Sequence, residues 1–356
     1  MLLANAAGFA PSVNALIFAG ATVVVWLAGT RLTKNLATLA DRLGLEQAFA
    51  GALLLGTITS LPEIANVLTS ASAGHPALAV NNLLGSASIN LVLLALADAA
   101  IGRDALTAVV AKPATMLLCA LCMLVLTLVA IAVSSGDVLV FGVGLWSIGL
   151  FIASIAAFRL AAQYAERAPW KLRDAASGDA AAKRGGEANG DAKGEAPANG
   201  RLGSLLAKVA LAGAVIFAAG YALAATGEAF AQQTGLGSGL VGFLLIGFAT
   251  STPELSTIVA ALRLRRAEMA LGEVLGSNFV NLSLILLADV MFSGGAVINE
   301  LGRFEAISAL LGVLLTGSYL IGLLERRNPV LLRMGYDSVA VLLLFAGGVA
   351  LLFVIR

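Results

Sequence analysis

Hydrophobic residues along this chain gather into ten long blocks separated by short polar breaks. About 20 helical residues, at ~1.5 Å each, cross a hydrocarbon core of ~30 Å. That ruler predicts ten transmembrane helices near 14–30, 45–73, 76–99, 113–133, 138–160, 204–226, 237–262, 268–291, 304–324 and 336–355. The second and seventh blocks are over-long and interrupted by Pro62 and Pro253, which predicts bent or broken helices. One break is of another kind. Residues 163–203 are mostly Ala, Gly and mixed charge with no apolar period, a composition that cannot bury enough surface to fold. The fold class read from this pattern is all-α integral membrane. A five-helix half (1–162) and a second five-helix half (204–356) are joined by a disordered linker (163–203).

The two halves share an internal repeat, and repeats fix architecture. Gly56 to Asp98 returns without a gap as Gly247 to Asp289. Thr59, Ser60, Pro62, Glu63, Gly85, Ser86, Asn90 and Asp98 fall 191 residues before Thr250, Ser251, Pro253, Glu254, Gly276, Ser277, Asn281 and Asp289, all preserved in kind. The repeated element is a Pro-Glu pair inside one hydrophobic block and a Gly-Ser-x-x-x-Asn cluster inside the next.

Composition agrees with a membrane solvent. Of 356 residues 59% are hydrophobic and 12% charged, against ~25% charged in soluble domains. Net charge is +1 and no basic patch interleaves with aromatics, so neither a soluble enzyme nor a nucleic-acid partner is indicated. The N-terminus lacks the basic region of a signal peptide and reads as a retained first span. Cys119 and Cys122 form C-x-x-C, but within an apolar run they read as small packing residues. His75, the one histidine, lies in a Gly-His-Pro turn. Positive residues collect in cytoplasmic loops. Here 20 of the 22 Lys and Arg follow spans one, three, five, seven and nine, leaving only Arg303 and Arg356 opposite. Both termini are therefore expected outside and the linker inside. Span two then runs outward and its repeat, span seven, inward, an inverted pair of the kind that places a binding site at mid-membrane.

The chemistry lies in the repeats. Glu63 and Glu254 sit midway along membrane-length blocks, where a charge costs about 2.5–3.5 kcal/mol on insertion scales. No Lys or Arg lies within either block to pair with them. Proline lacks an N–H, so Pro62 and Pro253 deprive the carbonyls of Ile58 and Ala249 of their helical donors. Thr59, Ser60, Thr250 and Ser251 add hydroxyls, giving an oxygen-only set that suits a hard cation rather than zinc or copper. In the companion blocks Asn82, Ser86 and Asn90 share one helical face, and Glu273, Ser277 and Asn281 repeat the spacing. Gly85 and Gly276 would let helices approach closely beside those stripes. Helix-to-helix hydrogen bonding is the plainer reading of the Ser and Asn; their recurrence beside Pro-Glu favours ion binding. Glu273 is expected near the cytoplasmic end of its helix, either as a carboxylate at the inner mouth of a pathway or paired with Arg263, Arg265 or Arg266. Asp98 and Asp289 are expected at the interface, with no ion role.

TSLPE and TSTPE, each followed by G-S-x-x-x-N, resemble the two alpha repeats of the calcium/cation antiporter superfamily, which includes sodium/calcium exchangers. The resemblance implies that Glu63 and Glu254 bind Ca2+ with neighbouring Thr carbonyls, and that sodium sites use Ser, Thr, Glu and Asn of the second helix. By position it implicates Thr59, Ser60, Glu63, Ser86, Asn90, Thr250, Ser251, Glu254, Ser277 and Asn281 as metal ligands, and spans one and six as the pair that moves against an eight-helix core. Asn281 stands where several exchangers carry Asp. The Gly-Asn that usually precedes x-x-Gly-Ser is Asn81-Asn82 in one repeat and Gly272-Glu273 in the other. The function implied is a Ca2+/Na+ antiporter acting on inorganic cations, with no cofactor and no obligatory protein partner. An enzyme is not expected, because the sole histidine lies in a turn and no nucleophile–base set is visible. The compact, domain-free plan suggests a bacterial inner membrane. A Ca2+/H+ antiporter and, less so, a cation channel are the alternatives.

Overall fold

The computed structural model describes residues 6–43, 50–101, 106–110, 112–165, 202–234, 238–325, 330–331 and 333–355. The linker expected at 163–203 lies outside these apart from its two ends, which extend the flanking helices.

Helix α1 (Pro11–Leu43) runs well past the expected 14–30. The charges at Arg31 and Lys34 do not end it, because Leu32, Leu36, Leu39 and Ala40 continue a buried stripe at helical spacing. Its 33 residues span ~50 Å, more than a hydrocarbon core requires. Next come α2 (Gly51–Thr59) and α3 (Leu61–Ser72), bent by 45° at Ser60. Helices α4 (Pro76–Ile101) and α5 (Pro113–Ser135) follow, then a small hairpin, β1 (Leu139–Val140) with β2 (Val143–Gly144), and α6 (Leu145–Ala165).

The second half repeats this order: α7 (Leu202–Thr234), then α8 (Val241–Thr250) and α9 (Thr252–Arg263) bent by 46° at Ser251. After them come α10 (Ala267–Met291), α11 (Arg303–Glu325), a hairpin of β3 (Val330–Leu331) with β4 (Met334–Gly335), and α12 (Tyr336–Ile355). The offset of 191 residues, read from 43 positions, holds from the first residue of α1 (Pro11 to Leu202) to the second hairpin (Gly144 to Gly335).

Among the described residues seven single helices and the two bent pairs are long and apolar enough to cross a membrane. The span expected at 138–160 differs: its first residues form the β1–β2 hairpin, and only Leu145–Ala161 remains as an apolar stretch. Phe141 and Gly142 both take left-handed φ (55° and 83°), which turns the chain tightly and delays the helix.

Both bends sit where proline dictates. Each second segment starts one residue before Pro62 or Pro253, so the proline lies in a first helical turn, where its missing N–H is not needed. The amides of Ser60 and Ser251 turn back to Ile58 and Ala249, the carbonyls left without i+4 donors. Each bend is preceded by a π-helical turn, Gly51–Leu55 and Val241–Ile246, a local unwinding frequent at functional sites.

Helices α4 and α10 form the centre, and each packs against the bent helix of the other half. Along α4, Leu78 meets Gly242, Gly85 meets Phe243, and Gly247 meets Gly85 and Ile89. Along α10, Met269 meets Gly51, Gly276 meets Ala52, and Ser277 meets Gly56. A Cβ on Gly85 would strike the Phe243 backbone, and one on Gly276 the Ala52 backbone, so these crossings require glycine. Outside this centre α1 lies antiparallel to α7. Ala21 and Val25 cluster with Ala219 and Leu223, while Ala28, Leu32 and Leu36 cluster with Val209, Ala212 and Ile216.

Asp98 and Asp289, placed by the sequence at the interface, are buried and fasten the two halves together. Asp98 accepts from the amides of Leu106 (2.9 Å) and Gly335 (2.8 Å) and from the Ser338 hydroxyl (2.7 Å). Asp289 accepts from the amides of Val297 (2.6 Å) and Gly144. Each aspartate thus holds the loop after its own helix and the hairpin of the opposite half. Buried amides need such acceptors.

Candidate functional site

At the two bends the chain presents Thr59, Ser60 and Glu63 on one side and Thr250, Ser251 and Glu254 on the other, all with no solvent exposure. The stripes on α4 and α10 face them. Asn82, Ser86, Asn90, Glu273, Ser277 and Asn281 are equally buried.

Hydrogen bonds join several of these across the halves. The Thr250 hydroxyl donates to Asn82 Oδ1 (3.1 Å) and lies 3.0 Å from the Ser86 hydroxyl. Asn90 Nδ2 donates to Ser277 Oγ (3.2 Å) and to Asn278 Oδ1 (3.4 Å). Thr59 and Ser60 bond their hydroxyls back to Leu55 (3.0 Å) and Gly56 (2.8 Å) in their own helix. Ser251 Oγ and both amide atoms of Asn281 are buried without a partner.

The carboxylates are the unusual feature. Neither oxygen of Glu63 and neither oxygen of Glu254 has a hydrogen-bond partner. The hydroxyls of Thr250 and Ser86 approach Glu63, and that of Thr59 approaches Glu254, without reaching hydrogen-bond geometry. Glu254 lies within electrostatic reach of both Glu63 and Glu273. The described ion pairs are elsewhere: Lys112 with Glu268 (2.8 Å) and Arg266 with Asp41 (2.6 Å). A buried, uncompensated charge costs several kcal/mol. Each of these carboxylates therefore calls for a proton or a counter-charge.

Glu273 lies in the second turn of α10, near the end of the helix as expected, but among the described residues it forms no ion pair with an arginine. Arg266 commits both terminal guanidinium nitrogens to Asp41. Arg263 and Arg265 are exposed, whereas Glu273 is fully buried. Glu273 Oε1 accepts from the Thr257 hydroxyl, and Oε2 has no partner. Among the described residues no three His, Cys, Asp or Glu cluster closely enough to hold a metal. An ion here would draw on hydroxyl, amide and carbonyl oxygens as well as carboxylates, a donor set fit for a hard cation.

Two polar positions, Asn278 and Thr257, were not singled out by sequence. Asn278 bridges Asn90 and the Ala87 carbonyl (3.2 Å) and touches Cys122 Sγ (3.9 Å). Its repeat partner is Ala87, so a search for recurring residues passes over it. Thr257 and Glu273 stand at the repeat positions of Asn66 and Asn82, an exchange that aligning the two stripes makes visible. Asn81 bonds Glu305 (2.8 Å), a pair with no counterpart in the other half. Cys119 and Cys122 are free and buried, and His75 is exposed in its turn.

Long apolar helices around a buried oxygen-rich centre define a polytopic membrane transporter. The model of the family described as sodium/calcium exchanger protein matches residues 13–160 and 204–354, and the chain belongs to that family. The sodium/calcium exchanger MaX1 of Methanosarcina acetivorans is 33% identical over 122 residues, 33% of this chain and 34% of that protein. The inner membrane protein YrbG of Escherichia coli is 24% identical over 344 residues, covering 90% of this chain and 99% of YrbG. Among solved structures, the sodium-calcium exchanger NCX_Mj soaked with 2.5 mM Na+ and 0.1 mM Ca2+ superposes with a TM-score of 0.63 at 17% identity, over 95% of this chain and 98% of that one. NCX_Mj soaked with zero Na+ and Ca2+ gives 0.57. These superpositions speak for the fold.

Proposed function

We propose that the protein is a secondary-active antiporter that exchanges Ca2+ for Na+ by alternating access. The observation that carries the reading is the pair Glu63 and Glu254, buried on opposed bent helices with four unpartnered oxygens. One Ca2+, two Na+ or two protons would each neutralise the pair. One site that holds either cargo, and is costly to reorient while empty and charged, couples the two fluxes. Thr59, Ser60, Ser86 and Asn90, with Thr250, Ser251, Ser277 and Asn281, complete the proposed ligand set. The match to the sodium/calcium exchanger family supports this assignment.

Residues 1–162 and 204–356 are read as five-span halves of opposite orientation. Contacts run in the same sense along α4 and α8, and along α10 and α2. The turn of α3 back into α4 at Gly74 and His75 supports opposite directions for the α2–α3 and α8–α9 pairs. With the arginine and lysine bias, both termini are outside and residues 163–203 join the halves on the cytoplasmic side of a bacterial inner membrane. Rocking of one bundle about the fixed site provides the alternation, with α1 and α7 the moving pair.

A Ca2+/H+ antiporter is the second reading, favoured by the amide at Asn281 and the extra buried acid at Glu273. Calcium uptake into everted vesicles separates the two. Uptake driven by a Na+ gradient at fixed pH supports the first; uptake driven only by a pH gradient, without Na+, supports the second.

A further inference from the structure

A groove of about 580 Å3 runs between α1 and α7, within the ~300–1,000 Å3 of small-ligand sites. Its floor is apolar, with Leu27, Leu211 and Val215, and one end carries Arg31, Lys34 and Lys208. All three cations are exposed, and none makes an ion pair among the described residues. No acid lines the groove.

Depth identifies what this combination suits. Arg31 lies 20 residues beyond Pro11, ~30 Å along the helix, one hydrocarbon thickness from its start. The apolar floor then lies at acyl-chain depth and the cations at headgroup depth. Internal symmetry supplies a contrast. The repeat equivalents of Arg31, Lys34 and Lys208 are Ala222, Ala225 and Ile17, so the matching place at the other end of the helix pair carries no charge. Three cations placed against the repeat, above an apolar furrow, match one phosphate ester with its chains below it. Basic pockets between transmembrane helices bind anionic headgroups, and arginine grips phosphate in bidentate fashion.

We propose that the groove between α1 and α7 is a binding site for one anionic phospholipid, whose phosphate is held by Arg31, Lys34 and Lys208. A headgroup contacting both helices ties them into one body. The site is distinct from the cation centre, and its occupancy does not depend on which ions are exchanged.

The test uses delipidated full-length protein in detergent micelles, with retained lipid counted by native mass spectrometry. Phosphatidylglycerol should be retained at one molecule per chain, phosphatidylcholine at least tenfold less. The triple variant R31Q/K34Q/K208Q should lose that molecule, and R31K/K34R/K208R should keep it. L27W/V215W fills the furrow with the charges intact and should lose it too, which keeps the test open should the triple variant fail to fold. Equal retention of phosphatidylglycerol by the wild type and folded variants would overturn the proposal. So would equal retention of the two lipids, or displacement by millimolar inorganic phosphate, which would mark a free-anion site. Because the readout is binding, a failure here leaves the flux experiments unaffected, and the reverse.

Discussion

Asn90 on α4 donates its side-chain amide to the hydroxyl of Ser277 on α10 at 3.2 Å, joining the central helices of the two halves. Interhelical hydrogen bonds in membranes are worth about 0.6 kcal/mol on average and at most about 1.7. Asn90→Ala should therefore lower the unfolding temperature only slightly. If Asn90 is a ligand, calcium flux should fall by far more than this stability loss explains. Flux and thermal melting measured on the same purified variant check the split; parallel small losses in both would make Asn90 structural.

Replacing Asp98 removes an acceptor from two buried amides and one hydroxyl. Each buried group left unsatisfied costs about 1–3 kcal/mol. Asp98→Ala should be strongly destabilising, and Asp289→Ala, with two donors released, somewhat less so. Melting temperatures in detergent read the order. A stable Asp98→Ala would mean that the hairpin hooks do not hold the halves together.

At Gly85 and Gly276 an added methyl meets backbone rather than a movable side chain. Overpacking of this kind costs roughly 1–3 kcal/mol. Gly85→Ala and Gly276→Ala should each reduce stability and flux, whereas Gly149→Ala, with open space around it, should do neither.

Much of this architecture was legible in the sequence because it is written as local pattern. Pro62 and Pro253 mark the bends, and the offset of 191 residues fixes which elements correspond. What the pattern lacked was long-range. Asp98 looked like a helix-end acid because its partner amides at Gly335 and Leu106 become neighbours only after folding. Glu273 is near the end of its helix, as its spacing from Ser277 indicated, but that α9 and the Gly51 turn cover it could not be read from the chain. The π-helical turns at Gly51–Leu55 and Val241–Ile246 depend on backbone packing against α10 and α4, which no residue period reports. Asn278 escaped notice because its counterpart is Ala87.

Glu273 and Thr257 form a buried acid–hydroxyl pair one turn beyond Glu254. If this third carboxylate takes part in ion or proton handling, Glu273→Gln should change the pH profile of calcium flux and weaken apparent cation affinity on the order of tenfold, ~1.4 kcal/mol. Thr257→Val should shift both in the same direction. An unchanged profile in Glu273→Gln would confine the pair to packing.

The central claim is that Glu63 and Glu254 together hold the transported cation. Its most direct test is calcium uptake into everted vesicles carrying Glu63→Gln or Glu254→Gln, with membrane insertion verified by immunoblot. Each substitution should abolish exchange under both Na+ and pH gradients while the protein remains in the membrane. Exchange at the wild-type rate in either variant would contradict the account.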